Sequence, residues 1–523
     1  MKAFNPRSLI QVHYHNRPGG VHTVMERYAT AFDRCVGPAR GVNLVCCKID
    51  LKRGIGFIGA QLLSIPECEY RSFTDKNVFF RLRNLLRRKL LKAIEQSSAQ
   101  GPLCVVGHNL TLGKNCALSS AFSEVARAFK SAYNDIRFFS VIHDFAEEGR
   151  TDCMRAIERL RGLGIAIGND LYPKTGTIVF VVPLQRNYKL LKTSGFNVAL
   201  LNNPLTEAAI SNNLKNADAP KTSSAPKFFI PNAPTLLCLS RIIPRKNIFE
   251  AILLSNILLK ANLYVGGPGP SAGHKKLFAR IKTLCGRHAL PVIFHEGAYS
   301  ADECFPCAFY DRVDACLSTS IAEGFGYAFY EPWINGRAIV GRKPLGFSPA
   351  LGLKMPYLYE RLPIPASWVS VDALAGKYYG RSGQFSYVRP QKSFPKFKRE
   401  FEAAFIKDGI IDFSCLDEQT QLNVIHKLLG SPSMVMEWEK LCGEELKRIR
   451  MGVLAGLQTG QTIIRSNRAR LLKEASGKQF AKDFAHCFFK TRQKGVYQNR
   501  YKEIGRYFGD VSRIRLLMAA PDH

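Results

Sequence analysis

Residues 317–342, LSTSIAEGFGYAFYEPWINGRAIVGR, decide how the rest of the chain is read. The apolar run Ala315–Ser318 has the length of a buried strand and gives way to polar Ser318–Ser320. An EGFG turn follows, and the pattern predicts a helix opening near Gly326 and a further strand at Ala338–Gly341. Strand, turn, helix and strand form one unit of an open α/β sheet, which binds ligands beyond the carboxyl ends of its strands. Free backbone N–H groups and the positive dipole end at such a helix start favour an anion. Gly324 and Gly326, on either side of Phe325, remove side chains where a ligand could touch the backbone. Glu323 stands just before the turn and Glu331 eight residues later, about two helical turns along.

About eighty residues upstream, Leu236–Asn247 reads LLCLSRIIPRKN. It is a strand that ends in Arg241, with Lys246 five residues on. Two cations at a strand's carboxyl end suit a diphosphate and would steady negative charge building on a leaving phosphate. Arg supplies a planar fork and Lys a mobile point charge, so the two are not redundant. Around them the α/β rhythm continues. Strands are predicted at Thr235–Ser240, Ala261–Val265 and Val292–His295, with helices at Asn247–Lys260 and Ser271–Arg287.

The first third alternates in the same way. Ser8–His13, Val42–Cys47, Leu103–His108, Arg137–His143 and Thr177–Val182 read as strands, with helices at Val21–Phe32, Asn77–Glu95 and Leu118–Tyr133. In Arg17–Tyr28, RPGGVHTVMERY, Gly19 and Gly20 open a helix and make a second anion-ready turn. Phe138–Arg150, FFSVIHDFAEEGR, ends its strand on His143, and Asp144, Glu147 and Glu148 follow as loop acids. The stretch 212–234 is polar and proline-rich, as a linker is. The expected layout is a Rossmann-like domain over 1–215, a linker over 216–234, a second Rossmann-like domain over 235–415 and a helical, basic extension over 416–523. Two such domains are expected to face each other across a cleft.

These segments resemble glycosyltransferase family 4, the retaining glycosyltransferases of the GT-B fold, and the likeness covers Ile10 to about Phe347. The E-x7-E element carries it, with the Arg and Lys at the right order and distance before it. Leu263–Gly269, LYVGGPG, and Val292–Gly297, VIFHEG, are similar to the family's glycine turn and nucleobase-side strand. The resemblance implies catalytic roles for Glu323 beside the transferred sugar and for His143, which donates a hydrogen bond to a sugar hydroxyl. It places Arg241, Lys246 and Gly20 on the donor diphosphate, Gly324–Gly326 on the donor sugar and Glu331 on the nucleotide ribose. It further implies a hexose taken from a nucleotide-diphosphate sugar, front-face transfer with retention, no metal and no cofactor. No DxD-like acidic pair stands beside the donor residues. In the family a last helix often crosses back to the first domain, and Arg500–Leu517 could serve. Past Gly346 the likeness stops, which leaves the acceptor unidentified.

Composition bounds the remainder. The chain has 523 residues, 46% hydrophobic and 22% charged, too many for one core. Its start lacks a signal-peptide layout and no apolar run is long enough to span a bilayer, so a cytoplasmic enzyme of carbohydrate, polysaccharide or lipopolysaccharide biosynthesis is expected. Cys104, Cys238, Cys285 and Cys316 sit singly in apolar segments, as buried free thiols do. Cys304 and Cys307 form a CxxC with no second pair at zinc-ligand spacing, and His13 and His15 lack a third ligand. The net charge of +32 favours polyanions. A phosphorylated or lipid-linked acceptor would answer to it. So would peripheral membrane contact through Arg81–Lys92, RLRNLLRRKLLK, which sets leucines on one face and cations on the other. Two other readings stay open: a basic nucleic-acid-binding protein, which shows no recognised nucleic-acid motif, and a GT-B module that binds without catalysis.

Overall fold

The structure, a computed structural model, describes residues 4–17, 19–37, 42–47, 60–99, 101–129, 135–173, 176–203, 230–269, 271–295, 307–310, 312–386, 391–458, 461–474, 477–491 and 501–517. Most of the expected linker, Glu296 and Gly297, Cys304 and Arg500 lie outside the described residues. The chain forms two compact units. The first comprises Met1–Pro204, Gln384–Arg389 and Ser476–Phe508, and the second Leu205–Gly383, Pro390–Ala475 and Gly509–His523.

The first unit is built on seven parallel strands. They are β1 (Ser8–His15), β2 (Val42–Cys47), β3 (Ala60–Ser64), β4 (Leu103–His108), β5 (Ile136–Val141), β6 (Ile178–Val182) and β7 (Val198–Leu200), in the order β3-β2-β1-β4-β5-β6-β7. Leu9, Ile10 and Val12 are fully buried, as befits a central strand covered on both faces. Helices α1 (Gly20–Val36), α2 (Lys76–Ser98) and α3 (Cys116–Ala128) connect the first strands. Asp75 caps α2 by accepting from the Val78 N–H at 2.7 Å, and Asn115 caps α3 by accepting from Leu118. The strand order reverses between β1 and β4, so a crevice opens beyond their carboxyl ends. The predicted strand Arg137–His143 ends at Val141, and His143 stands in the loop after it.

The second unit has six parallel strands. They are β8 (Thr235–Cys238), β9 (Asn262–Val265), β10 (Val292–Phe294), β11 (Ala315–Ser318), β12 (Ala338–Arg342) and β13 (Leu358–Tyr359), in the order β10-β9-β8-β11-β12-β13. Here the reversal lies between β8 and β11, the strands that lead into RIIPRKN and EGFG. The helix expected over 247–260 is a short α-helix, Ile248–Ile252, that widens into a π-helix at Leu253–Leu258. The helix expected to open near Gly326 is also broken. Gly326 takes φ +74°, a 3₁₀ turn covers Tyr327–Phe329, and a separate short helix begins at Glu331 with Pro332 in its first turn. Glu331 therefore starts a helix instead of sitting two turns into one, and no long dipole points at the EGFG turn.

Beyond β13 the second unit adds an antiparallel sheet of Pro363–Pro365, Ile410–Asp412 and Ile406–Lys407, with helices Val371–Ser382 and Phe394–Phe405 beside it. Phe397, Phe401 and Phe405 recur every fourth residue and are buried, which fixes the second helix on Tyr378. Helices Glu418–Gly430, Pro432–Gln458 and Gln461–Glu474 complete this unit, so a helical C-terminal region is present. Helices Gly477–Ala485 and Tyr501–Phe508 belong to the first unit, where Phe480, Phe484 and Phe488 surround Tyr28 and Phe508 meets Phe145. The turn Val511–Leu517 belongs to the second unit again. The sequence layout of one extension over 416–523 thus divides between the two units. Cys104, Cys238, Cys285 and Cys316 are buried free thiols.

Candidate active site

In the second unit, Pro244 opens a 3₁₀ turn over Pro244–Lys246 directly after β8, and this turn aims two consecutive cations at the EGFG segment. Lys246 Nζ donates to one carboxylate oxygen of Glu323, and Arg245 donates to the other at 3.3 Å. Arg245 also donates to the carbonyl of Ala322 at 3.0 Å, so the guanidinium grips both side chain and backbone. Side-chain exposure is 6% for Glu323 and 13% for Lys246, which makes this a largely desolvated ion pair. Burial pushes the Glu323 carboxyl up, but Lys246 and Arg245 outweigh it and the net shift is downward. Glu323 is therefore ionised at neutral pH.

The turn is held from below. The Thr319 hydroxyl donates to the carbonyls of Lys246 and Asn247, each at 3.0 Å, and the Ile321 N–H donates to the Arg245 carbonyl at 2.9 Å. Asn247 takes φ +54° and donates to Glu250 at 2.6 Å. Glu250 accepts from Arg342, which also forks onto Asp412, and Asp412 accepts from Arg515 at 2.8 Å. Arg342, Glu250 and Asp412 are all buried, and their bonds satisfy one another. This network escaped the sequence reading, because Glu250, Arg342, Asp412 and Arg515 share no spacing; only the fold brings them together.

The other donor-side residues are placed as follows. Phe325 is buried and stacks on Tyr330 at 4.7 Å. Gly326 lies over Glu323, where a Cβ would come within 3.2 Å of the Glu323 Cβ; φ and crowding together explain a glycine there. Gly324 is half-buried, as is Glu331 at the start of its short helix. Arg241 is exposed, and its charge bears on His274 near the start of helix Ala272–Arg287, next to the Gly267–Gly269 turn. The cations bearing on Glu323 are Lys246 and Arg245. Arg245 stands in the same RIIPRKN segment; it went unremarked because the family spacing draws attention to the first and last cations.

In the first unit, the switch point collects histidines. His13 lies on β1, His108 ends β4 and His143 follows β5. All three are buried. His108 Nδ1 and His143 Nε2 are 3.4 Å apart with their rings nearly parallel. Asn109, at φ +55°, accepts from the backbone N–H of His143 at 2.8 Å and fixes the loop. Burial lowers His143 to about 4, with Asp144 opposing, and lowers His13 to about 3. Of the loop acids, Asp144 pairs with Arg150 and Glu148 with Arg186, while Glu147 is buried against the Tyr172 hydroxyl. Gly20 opens α1, and a Cβ at Gly19 or Gly20 would meet nothing within 4 Å. Among the described residues no close contact requires glycine at these positions.

The leucines of α2 have a structural task. Leu82, Leu86 and Leu90 are buried, and α2 packs along α3. Arg83 pairs with Glu124 and Lys89 with Glu67, which leaves Arg81, Arg88 and Lys92 exposed. Among the described residues no helix is long and apolar enough to cross a membrane. Among them, too, no group of three or more His, Cys, Asp or Glu side chains is placed to hold a metal ion.

Two parallel α/β sheets, each with a switch point, define a fold of two Rossmann-like units, and a cation–carboxylate cluster lies at the switch point of the second. A curated relative is similar over most of the chain. The mannosylglucosyl-3-phosphoglycerate synthase of Petrotoga mobilis is 24% identical over 442 residues, covering 80% of this chain and 82% of its own. No protein-family model matches the chain. Similar solved structures include a glycosyltransferase from Rickettsia africae, 12% identical with a TM-score of 0.45, covering 86% of this chain and 99% of that one. The catalytic domain of starch synthase IV from Arabidopsis thaliana is 13% identical with a TM-score of 0.44, covering 87% and 100%. At scores this low the likeness extends neither to individual residues nor to substrates.

Proposed function

We propose that the chain is a retaining hexosyltransferase that takes its sugar from a nucleotide-diphosphate donor and passes it to the hydroxyl of an anionic, phosphorylated acceptor. The observation that carries this reading is the cluster of buried Glu323 with half-buried Lys246 and Arg245 at the switch point of the second unit. Lys246 and Arg245 offer fixed positive charge where a diphosphate leaves, the most useful place for electrostatic help and one that needs no metal. Glu323, kept ionised by them, steadies oxocarbenium-like charge on the sugar. The acceptor hydroxyl enters on the face the phosphate leaves, and that phosphate takes its proton. Gly324–Gly326 hold the donor sugar, Glu331 the ribose, and Arg241 and Gly20 assist with the diphosphate. The relative's name contains a phosphoglycerate, and the net charge of +32 here suits an acceptor of that charge class. Any contact of α2 with an anionic membrane surface would be electrostatic, through Arg81, Arg88 and Lys92, because its leucines are buried.

Screening UDP-, GDP- and ADP-sugars by thermal shift tests the donor, since a ligand at a hundred times its dissociation constant adds ~2.7 kcal/mol of apparent stability. At least one is expected to stabilise the wild type and not Lys246→Ala. Donor turnover in the presence of glycosylated phosphoglycerates then separates an enzyme from a binding module. Indifference to every donor tested would overturn the reading.

A further inference from the structure

The histidines of the first unit form a directional chain whose polarity can be read from one end. The carbonyl of Met25 can only accept a hydrogen bond, and Gln11 Nε2 donates to it at 2.9 Å. That orients the Gln11 amide and leaves its Oε1, an acceptor, 3.0 Å from His108 Nε2. His108 Nε2 must therefore carry a proton. The ring is fully buried and sits beside two other histidines, and burial holds it neutral. A neutral imidazole protonated on Nε2 has a bare Nδ1. The atom facing that bare nitrogen is His143 Nε2, at 3.4 Å. His143 Nε2 then carries the proton of its own neutral ring, and its Nδ1 is left with a lone pair. Among the described residues no protein group bonds that nitrogen.

We infer that Gln11 and His108 are positioning residues that lock His143 in the Nε2–H tautomer, so that its Nδ1 accepts a hydrogen bond from a sugar hydroxyl. The role implied by resemblance was the reverse, with His143 donating. The polarity matters because an acceptor nitrogen selects a ligand group that carries a proton, and an acceptor that a bound ligand desolvates without pairing weakens binding. His143 would thereby discriminate a hydroxyl from groups that only accept. The ring's place is set independently of the tautomer, by the Asn109 side chain that accepts from the His143 and Asp144 N–H groups. Position and proton are thus fixed by different residues.

The tautomer lock needs no substrate, while the acceptor role rests on the glycosyltransferase reading. The full chain labelled with ¹⁵N-histidine reports on both by NMR. In the ligand-free protein, His143 is expected to show an unprotonated Nδ1 and a protonated Nε2, and Gln11→Leu is expected to turn this into a mixture of the two tautomers. His143 protonated on Nδ1, in a spectrum that requires no variant to fold, overturns the lock. An unchanged single tautomer in folded Gln11→Leu overturns it as well. UDP-glucose and GDP-mannose are then added to the wild type. Movement of the Nδ1 resonance toward the hydrogen-bonded range supports the acceptor role. A donor that raises the melting temperature and leaves Nδ1 unmoved overturns that role. Absence of any donor effect on either readout overturns the glycosyltransferase reading and the acceptor role together, with the ligand-free spectrum still deciding the lock.

Discussion

Separating Lys246 from Glu323 tests the central contact of the site. Removing one member of a buried ion pair leaves an uncompensated charge and typically costs about 3–5 kcal/mol, whereas replacing both with apolar or neutral groups is far cheaper. The two single changes differ in what remains. In Lys246→Met, Glu323 keeps Arg245 at 3.3 Å, so ~2–3 kcal/mol is expected. In Glu323→Gln, Lys246 and Arg245 are left facing each other without a counter-charge, and ~3–5 kcal/mol is expected. The double variant should lose less than the sum of the two, with a coupling of at least ~2 kcal/mol, within the range seen for residues in contact. Urea unfolding of the four proteins measures the cycle. For a unit of this size each kcal/mol moves the melting temperature by roughly 2–4 °C, so the single variants should melt about 4–20 °C below wild type. Transfer activity should be lost in all three, including a double variant that folds well. A coupling under ~0.5 kcal/mol would show that the pair is no more than two neighbouring side chains.

Three further outcomes can be checked. Gly341→Ala should lose at least ~3 kcal/mol in urea unfolding, because φ is +115° and an added Cβ would sit 2.2 Å from the Ser318 carbonyl on β11; a loss under ~1 kcal/mol would refute the close approach. His143 has a folded value of about 4 against 6.5 for the free ring, so its contribution to stability is complete above pH 6.5 and disappears as pH falls toward 4. The loss has reached ~2 kcal/mol by pH 5, and Glu147, pushed up to about 7 by burial, works the other way over the same range. Stability of His143→Asn should therefore change between pH 6 and pH 5 with a slope that differs from wild type by ~1.2 kcal/mol per pH unit, the wild type losing more; parallel curves would sink the argument. Gly20→Ala meets no atom, so stability should stay within ~0.5 kcal/mol while transfer falls at least tenfold; full activity would show that no ligand uses the space.

Much of the fold was legible because both sheets use short apolar strands between amphipathic helices, and Ser8–His15, Leu103–His108 and Ala315–Ser318 match that pattern closely. The misjudged elements fail for identifiable reasons. Periodicity carried the helix at 247–260 through a π-helical widening, which hydrophobic spacing does not reveal. Gly326 looked like a helix start, but its positive φ and Pro332 divide the segment, and neither marks where a helix breaks until the backbone is known. The antiparallel strands at Pro363–Pro365 and Ile410–Asp412 are too short to alternate and contain two prolines, so no strand pattern shows. At the site, the carboxylate was found from the EGFG turn. The pairing of Arg245 with that carboxylate was not legible, since spacing fixes the loop that carries a charge and not the direction a flexible side chain takes.

The C-terminal turn Val511–Leu517 joins the site to the rest of the second unit by two routes. Leu516 packs on Ile321 and Ala322, immediately before Glu323, and Leu345 closes that cluster while its N–H donates to the Ile321 carbonyl. Arg515 meanwhile enters the buried network through Asp412, and from there Arg342, Glu250 and Asn247 lead to the backbone that carries Lys246. One route ends at the carboxylate and the other at its cation. The ion pair is only as well placed as its two backbones, and this turn contacts one directly and reaches the other through a chain of buried bonds. The length of chain between Gly346 and Val511, which the family resemblance does not reach, therefore returns to the one place where resemblance is strongest, and it acts there by holding Glu323 and Lys246 in register.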